Sequence, residues 1–392
     1  SHDNREMNGE FIVNQASVAL IYCDQYQIEN VRLAVQQGIA LLGGTGQFVK
    51  PGEKILVKPN VLVGNDPEKC IGPHPNVFRA VLEQFQAAGA LLSYGDSPGF
   101  GTPRGGLRAA KLLPVAEELN VALADFTNAE TFSFLEGNLI KQFTIAKGVA
   151  ESDGIISLGK LKSHQLTRIT AAVKNTFGCI PGVRKAEFHA RLPNADLFAQ
   201  MLVDLNLFLK PCLYIVDGIM AMEGNGPRNG TPRAMNVLLF STDPVALDAT
   251  ICRMINLDER LVETITYGNR FGLGSSDNIF YLGEAVARFH TPDFLVNRSK
   301  ASTAGDMKIL GSRLLRDAIS PKPVIDAEKC NECGQCVQVC PAEPKALVWK
   351  NGKTEPPVYQ YENCIRCYCC QELCSHEAVS VKVPWLGRLV HR

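Results

Sequence analysis

The chain has 392 residues, 46% of them hydrophobic and 20% charged, with 40 basic residues against 40 acidic. That length provides for two or three domains with ample core, and the zero net charge excludes a nucleic-acid binder that works by bulk electrostatics. No run approaches the ~18 apolar residues of a membrane span, and the polar start SHDNREMNGEF predicts no secretory signal.

Along the first 300 residues, apolar β-rich runs alternate with helical patterns. VALIYC (18–23) precedes a helix near 28–43, KILV (54–57) a helix near 75–89, and ALLSY (90–94) a helix near 104–119. VALADF (121–126) follows, then TFSFLEGNLIKQFTIA, an antiparallel pair turning at Gly137-Asn138. GIISL (154–158), a helix near 165–177, LYIV (213–216) and NVLLF (236–240) with a helix after Pro244 complete the series. Strands alternating with helices predict an α/β domain on a mostly parallel, doubly wound sheet covered on both faces. Its expected span is 15–295. A linker over 296–322 follows, with a short amphipathic helix around LGSRLLRDAI, and then a small second domain over 323–392.

Polar groups beside Gly or Pro follow five of the strands: Lys58-Pro59-Asn60, Gly95-Asp96-Ser97-Pro98-Gly99, the stretch from Gly159 to His164, Asp217-Gly218, and Ser241-Thr242-Asp243-Pro244. In a parallel sheet those ends share one edge, where ligands bind. GKLKSHQLTRITAAVKN (159–175) holds Lys160, Lys162, His164, Arg168 and Lys174 and no acid. Read as a strand end leading into a helix N-terminus, it predicts a site for a small carboxylate or phosphate, against a structural ion-pair network. No aromatic interleaves the cations, so nucleic acid is a poor partner. GGTGQF and GDSPGFGTPRGG fit neither the dinucleotide fingerprint nor the GxxxxGK[ST] phosphate loop.

Nine of the fourteen cysteines fall between Cys330 and Cys374. CNECGQCVQVCP and CIRCYCCQELCS each fit C-x2-C-x2-C-x3-C, the bacterial two-cluster ferredoxin run, in which the fourth cysteine ligates the other cluster. This predicts a small α+β ferredoxin-like domain with two 4Fe-4S clusters. Cys330, Cys333, Cys336 and Cys374 hold one; Cys340, Cys364, Cys367 and Cys370 hold the other. Cys369 is a ninth cysteine, and Cys370 is preferred as ligand because it keeps both spacings. The 23 residues between Cys340 and Cys364 read as a strand pair, ALVWK and PVYQY, turning at NGK.

KPN (58–60), GDSPG (95–99), GKLKSH (159–164), KN-x-FG (174–178), VDG (216–218), EGNGP (223–227) and STDP-x-A-x-D (241–248) occur in this order ahead of the cysteine-rich tail. That ordered set resembles the "domain of unknown function 362" family of prokaryotic iron–sulfur proteins, and the ending VPWLGRLV is similar to members that carry the tail. The resemblance implies a cytoplasmic protein and no settled reaction. The matching positions nominate Lys58 and His164 as proton donors. Asn60, Asp96, Lys160, Lys162, Lys174, Asn175, Asp217, Glu223, Asn225 and Asp243 are nominated as substrate ligands. Asp96, Asp217 and Glu223 also suit a divalent cation, and no motif supports a flavin. VRKAEFHARL, with Arg184 and His189, is either a lid or an exposed charged loop.

The expected function is an enzyme that passes electrons from the clusters to a small anionic molecule at the sheet edge. The rivals are an electron carrier or assembly partner that docks another protein, and a redox-regulated binding protein. A redox partner protein is expected in each case. A mobile tail hinged at Ser320-Pro321-Lys322-Pro323 favours the carrier, and clusters packed against the basic site favour the enzyme.

Overall fold

The computed structural model describes residues 15–192, 194–299 and 320–386. The expected linker helix around LGSRLLRDAI lies outside the described residues. Strands β1 (Ser17–Tyr22), β2 (Lys54–Pro59), β3 (Leu91–Tyr94), β4 (Ala122–Leu123), β7 (Gly154–His164), β8 (Arg168–Thr170), β9 (Leu213–Glu223), β10 (Thr231–Ser241) and β11 (Phe280–Gly283) form one sheet of nine. Its order is β11-β1-β10-β9-β7-β2-β3-β4, with β8 folded back antiparallel on β7. Every neighbouring pair along that path is parallel except the two made by β10. Strands β5 (Ala129–Ser133) and β6 (Gln142–Ala146) make the predicted antiparallel pair.

Alternating side chains send each strand to two cores. Ala19 and Ile21 join the core under α1 (Ile28–Leu41), α2 (Pro75–Ala87), α3 (Pro103–Ala109) and α4 (Leu112–Glu118). Val18 and Leu20 point the other way, to α8 (Pro244–Met254) and α9 (Glu263–Arg270), beside the core of α7 (Ala195–Leu209). This is the expected α/β sheet covered on both faces. From β2 the chain steps outward through β3 and β4, and then returns on the other side of β2 as β7. The order therefore reverses between β2 and β7, the place where such sheets open a crevice.

Two local expectations are corrected. The helix near 165–177 is absent: β7 runs on to His164, the chain reverses, and β8 is followed by a 3₁₀ turn, Val173–Cys179. Arg168 makes the reversal at φ 68°, held by its guanidinium donating to the carbonyls of Gln165 and Ser299. β-Branched Thr167, Ile169 and Thr170 suit a strand better than a helix. The spacing of Leu166, Ile169, Ala172, Val173 and Phe177 imitates a helix face without being one. The helix near 104–119 is two, α3 and α4, broken at Lys111 with φ 58°.

The second domain pairs β12 (Lys322–Ile325) with β15 (Val379–Lys382), and β13 (Leu347–Val348) with β14 (Val358–Tyr359) as predicted. Short helices α10 (Gln335–Val339) and α11 (Cys369–Leu373) follow the first cysteines of the two halves. Among the described residues, no helix is long and apolar enough to cross a membrane.

Candidate functional site

At the end of β2, Lys58 is 1% exposed and forms an ion pair with Asp96 Oδ1 at 2.9 Å. Its Nζ also donates to Asn175 Oδ1 at 2.8 Å, which leaves one ammonium N–H uncommitted. Asn175 bridges the reversal point: its Nδ2 donates to Ser157 Oγ on β7 at 2.9 Å and to the Lys58 carbonyl at 3.3 Å. Asp96 Oδ2 accepts from the Val61 amide. Gly178 is required here, because a Cβ on it would stand 1.9 Å from Asp96 Oδ1 and 2.5 Å from Lys58 Nζ.

This pair borders a cavity of about 140 Å³. The α/β domain lines it with Lys58, Asn60, Asp96, Lys174, Asn175 and Phe177, and with Lys185 and His189 of α6 (Gly182–Arg191). The other wall is Val339, Cys369, Glu372 and Leu373 of the cysteine-rich domain. Phe177 lies near two ammonium groups, with Lys174 Nζ 5.9 Å and Lys185 Nζ 5.8 Å from its ring centre. Lys174 has no carboxylate within ion-pair distance among the described residues, and the Asn60 Oδ1 atom is buried without a hydrogen-bond partner. Lys185 donates to the Ser97 carbonyl; burial, with repulsion from Lys58 and Lys174, brings its ammonium down to about 8. Burial likewise lowers His189 to about 4.

Not every nominated residue reaches this cavity. His164 Nδ1 accepts from the amides of Leu166 and Thr167, which puts the ring proton on Nε2, 3.6 Å from Glu372 Oε2. That is too long for a hydrogen bond, and burial lowers the imidazole to about 4, so the ring is neutral behind Glu372. Burial raises the Glu372 carboxyl, but the positive charge of Lys174 outweighs it and holds the carboxyl below the usual range. Lys162 is buried with Nζ on the Ile71 carbonyl at 2.6 Å; burial, then Lys174, holds its ammonium well below normal. Lys160 and Asp217 pair with each other at 2.9 Å inside a closed network with Tyr26.

Three further candidates serve elsewhere. Asp243 caps α8, accepting from the Val245 and Ala246 amides. It lies at the opposite sheet edge because β10 runs antiparallel to its neighbours. Glu223 accepts from the Leu295 amide and stands 3.6 Å from Arg233. Asn225 holds the second domain: Gln371 Nε2 donates to its Oδ1 at 2.8 Å and to the Gly226 carbonyl at 3.1 Å. Arg228 and Asn229 add bonds to the carbonyls of Leu373 and Cys374. Gly99 admits Leu373, whose Cδ2 would be 2.8 Å from a Cβ there. Arg184 is exposed and 4.0 Å from Glu187. Sequence reading missed Lys185 and Glu372; the available signal for Lys185 was the basic stretch VRKAEFHARL, whose His189 it did single out.

The cysteine quartets come together as the spacing requires. Cys330, Cys333, Cys336 and Cys374 line one small cavity, and Cys340, Cys364, Cys367 and Cys370 line another. Both halves wrap their loops alike: Glu332 and Arg366 have φ of 55° and 60°, and Gly334 and Tyr368 have φ of 75° and 61°. In this correspondence Cys369 matches Gln335, a non-ligand position, and it faces the larger cavity. Two all-thiolate sets in wrapped loops fit iron–sulfur clusters.

Residues 55–253 match the family described as Domain of unknown function (DUF362), and residues 322–375 match a 4Fe-4S dicluster domain. A thylakoid-associated protein of Synechocystis sp. is 37% identical over 264 residues, 66% of this chain and 80% of that protein. The chain belongs to the DUF362 family. An uncharacterized ferredoxin of Methanocaldococcus jannaschii is 40% identical over 63 residues, 15% of this chain and 77% of that protein. The DUF362 chain is therefore an iron–sulfur protein with a 4Fe-4S ferredoxin-like domain. Among solved structures, the lactate racemase apoprotein from Thermoanaerobacterium thermosaccharolyticum superposes with a TM-score of 0.41 at 11% identity. That alignment covers 64% of this chain and 58% of the other, so the chain spans less than two thirds of it.

Proposed function

We propose that this protein reduces a small anionic molecule, a carboxylate or phosphate, bound in the cavity between its two domains. The observation that carries the reading is the shared wall. Val339 and Cys369 are sequence neighbours of Cys340 and Cys370, and both face Lys58, Lys174 and Lys185 across one void. Two 4Fe-4S clusters, when bound by the two quartets, supply one electron each, drawn from a one-electron donor protein. These are the two electrons that a closed-shell substrate takes up with two protons. Lys174 and the free N–H of Lys58 hold the anion, and Asn60 Oδ1 accepts from a hydroxyl that the substrate carries beside its anionic group. Lys185, at about 8, releases a proton from Nζ near neutral pH, and solvent provides the second. His164 stands outside this proton transfer, and its neutral ring backs the Glu372 carboxylate. The hydrogen bond that Asn225 accepts from Gln371 and those that Arg228 and Asn229 donate fasten the ferredoxin-like domain and count against a free-swinging carrier. Closely spaced iron-binding thiols need a reducing compartment, so we assign the protein to the cytoplasm.

The test is anaerobic. The reduced protein is mixed with a panel of small carboxylates and phosphates while cluster absorbance is followed, with Lys174→Ala run alongside. One class of anion should reoxidise the wild type, and the variant should be slower by about tenfold or more, the worth of one charge-assisted hydrogen bond. If no anion works and a protein fraction reoxidises both forms equally, the chain is an electron carrier.

A further inference from the structure

The two halves of the ferredoxin-like domain superpose in sequence, and two of the corresponding positions differ in a way that bears on the sulfur ligands. Two residues after the first cysteine of each run stand Glu332 and Arg366, in the same left-handed conformation. They carry opposite charge. Glu332 follows Cys330, and Arg366 follows Cys364, at the same two-residue spacing, so a carboxylate accompanies the first ligand of one half and a guanidinium that of the other. Five residues before the first cysteine stand Ile325 and Tyr359, each lining the cavity of its own half. Tyr359 donates its hydroxyl to Cys370 Sγ at 3.2 Å, and Ile325 has no group to donate. Tyr359 is steadied by stacking on Tyr361, with ring centres 5.2 Å apart and planes 9° apart. Burial differs as well: Cys333 in the first half is exposed, whereas Cys364 and Cys370 in the second are buried.

A reduced cluster carries one more negative charge than an oxidised one. Hydrogen bonds and positive charge at its sulfurs therefore raise the reduction potential, and a neighbouring carboxylate lowers it. Solvent at Cys333 and the Glu372 carboxylate near Cys367 act in the opposite sense to this asymmetry, but water at an exposed ligand is a screened influence and the carboxylate is offset by Lys174. We propose that Arg366 and Tyr359 set the potential of the half-site formed by Cys340, Cys364, Cys367 and Cys370 above that of its sister. The first electron taken up then rests in the half whose neighbours Val339 and Cys369 line the substrate cavity. The functional meaning of this order rests on the reading of that cavity given above, but the order itself does not.

Potentiometric titration of the full iron-loaded chain, followed by electron paramagnetic resonance and without any substrate, tests it. The wild type should show two midpoints. Arg366→Glu should lower only the higher one, changing the reduced-to-oxidised ratio at fixed ambient potential by about tenfold, which is about 59 mV for one electron. Tyr359→Phe should lower the same midpoint by less, and Arg366→Lys should largely restore it. Iron and sulfide content monitors folding, and the conservative Tyr359→Phe keeps the test decisive if Arg366→Glu fails to assemble. A single wild-type midpoint, or movement of the lower midpoint in either variant, overturns the proposal. Because no anion is present, this result and the outcome of the anion panel fail independently.

Discussion

Two buried lysine–aspartate pairs lie near the ends of adjacent strands, and on simple measures they are alike. Lys58–Asp96 and Lys160–Asp217 each close at 2.9 Å, and each lysine is 1% exposed. Their surroundings separate them. Asp217 accepts from Lys160, from the Tyr26 hydroxyl and from the amides of His74 and Ile219. Every lone pair there is answered by the protein, and Tyr26 stacks on His74 with ring centres 3.9 Å apart. Lys58–Asp96 instead faces a void lined also by Asn60, whose Oδ1 has no hydrogen-bond partner, and by Lys174, which has no carboxylate within ion-pair distance among the described residues. Buried charge alone marks either role. A site is distinguished by polar groups that the fold leaves unanswered beside open space.

That contrast is easiest to break at Asp217. Asp217→Ala strands Lys160 without its counter-charge, and breaking a buried pair in this way costs about 3–5 kcal/mol. Urea unfolding should show a loss of that size, with anion binding per folded molecule unchanged. If binding disappears while stability holds, the Lys160 network belongs to the site after all. Gly178→Ala should act on the other pair. Its methyl must displace Asp96 and Lys58, an overpacking cost of about 1–3 kcal/mol, and here stability and anion affinity should fall together. Unchanged affinity, measured by calorimetry, would show that the exact placement of Lys58 does not matter to the ligand.

How far this was legible in the sequence follows the same line. The cysteine quartets could be read from spacing alone, because short loops around one cluster permit few arrangements. The layered α/β domain could be read from alternating periodicities. The lining of the cavity was only half visible. Lys58, Asn60, Asp96, Lys174 and Asn175 were nominated, and they do meet in one cavity. Lys160, Lys162 and His164 were nominated with equal force, on the expectation of a helix after residue 164. They instead continue a strand into the protein. Asp243 was placed at the wrong edge because strand direction for β10 depends on a return connection that local pattern does not encode. Asn225 was read as a ligand residue, although its partner is Gln371, 146 positions away. Glu372 and Lys185 come into the site by domain docking and by the lie of α6, and neither leaves a trace in periodicity.

The smallest expected effect is also the most specific to the cavity. Lys185 is the lining cation whose charge changes near neutrality. Burial, reinforced by Lys58 and Lys174, lowers it from the ordinary lysine value to about 8. Below about pH 8 the ammonium is protonated and attracts the anion; above it, the amine is neutral and the attraction is lost. Anion affinity measured on the oxidised protein should therefore fall as pH rises through about 8, by up to about tenfold, the scale of one partly buried charge. Lys185→Arg should remove the step, because a guanidinium stays charged throughout the range. A profile flat to pH 9 in the wild type would place the anion away from Lys185, on the Lys58 side of the void, and would leave α6 as a cover with no part in binding.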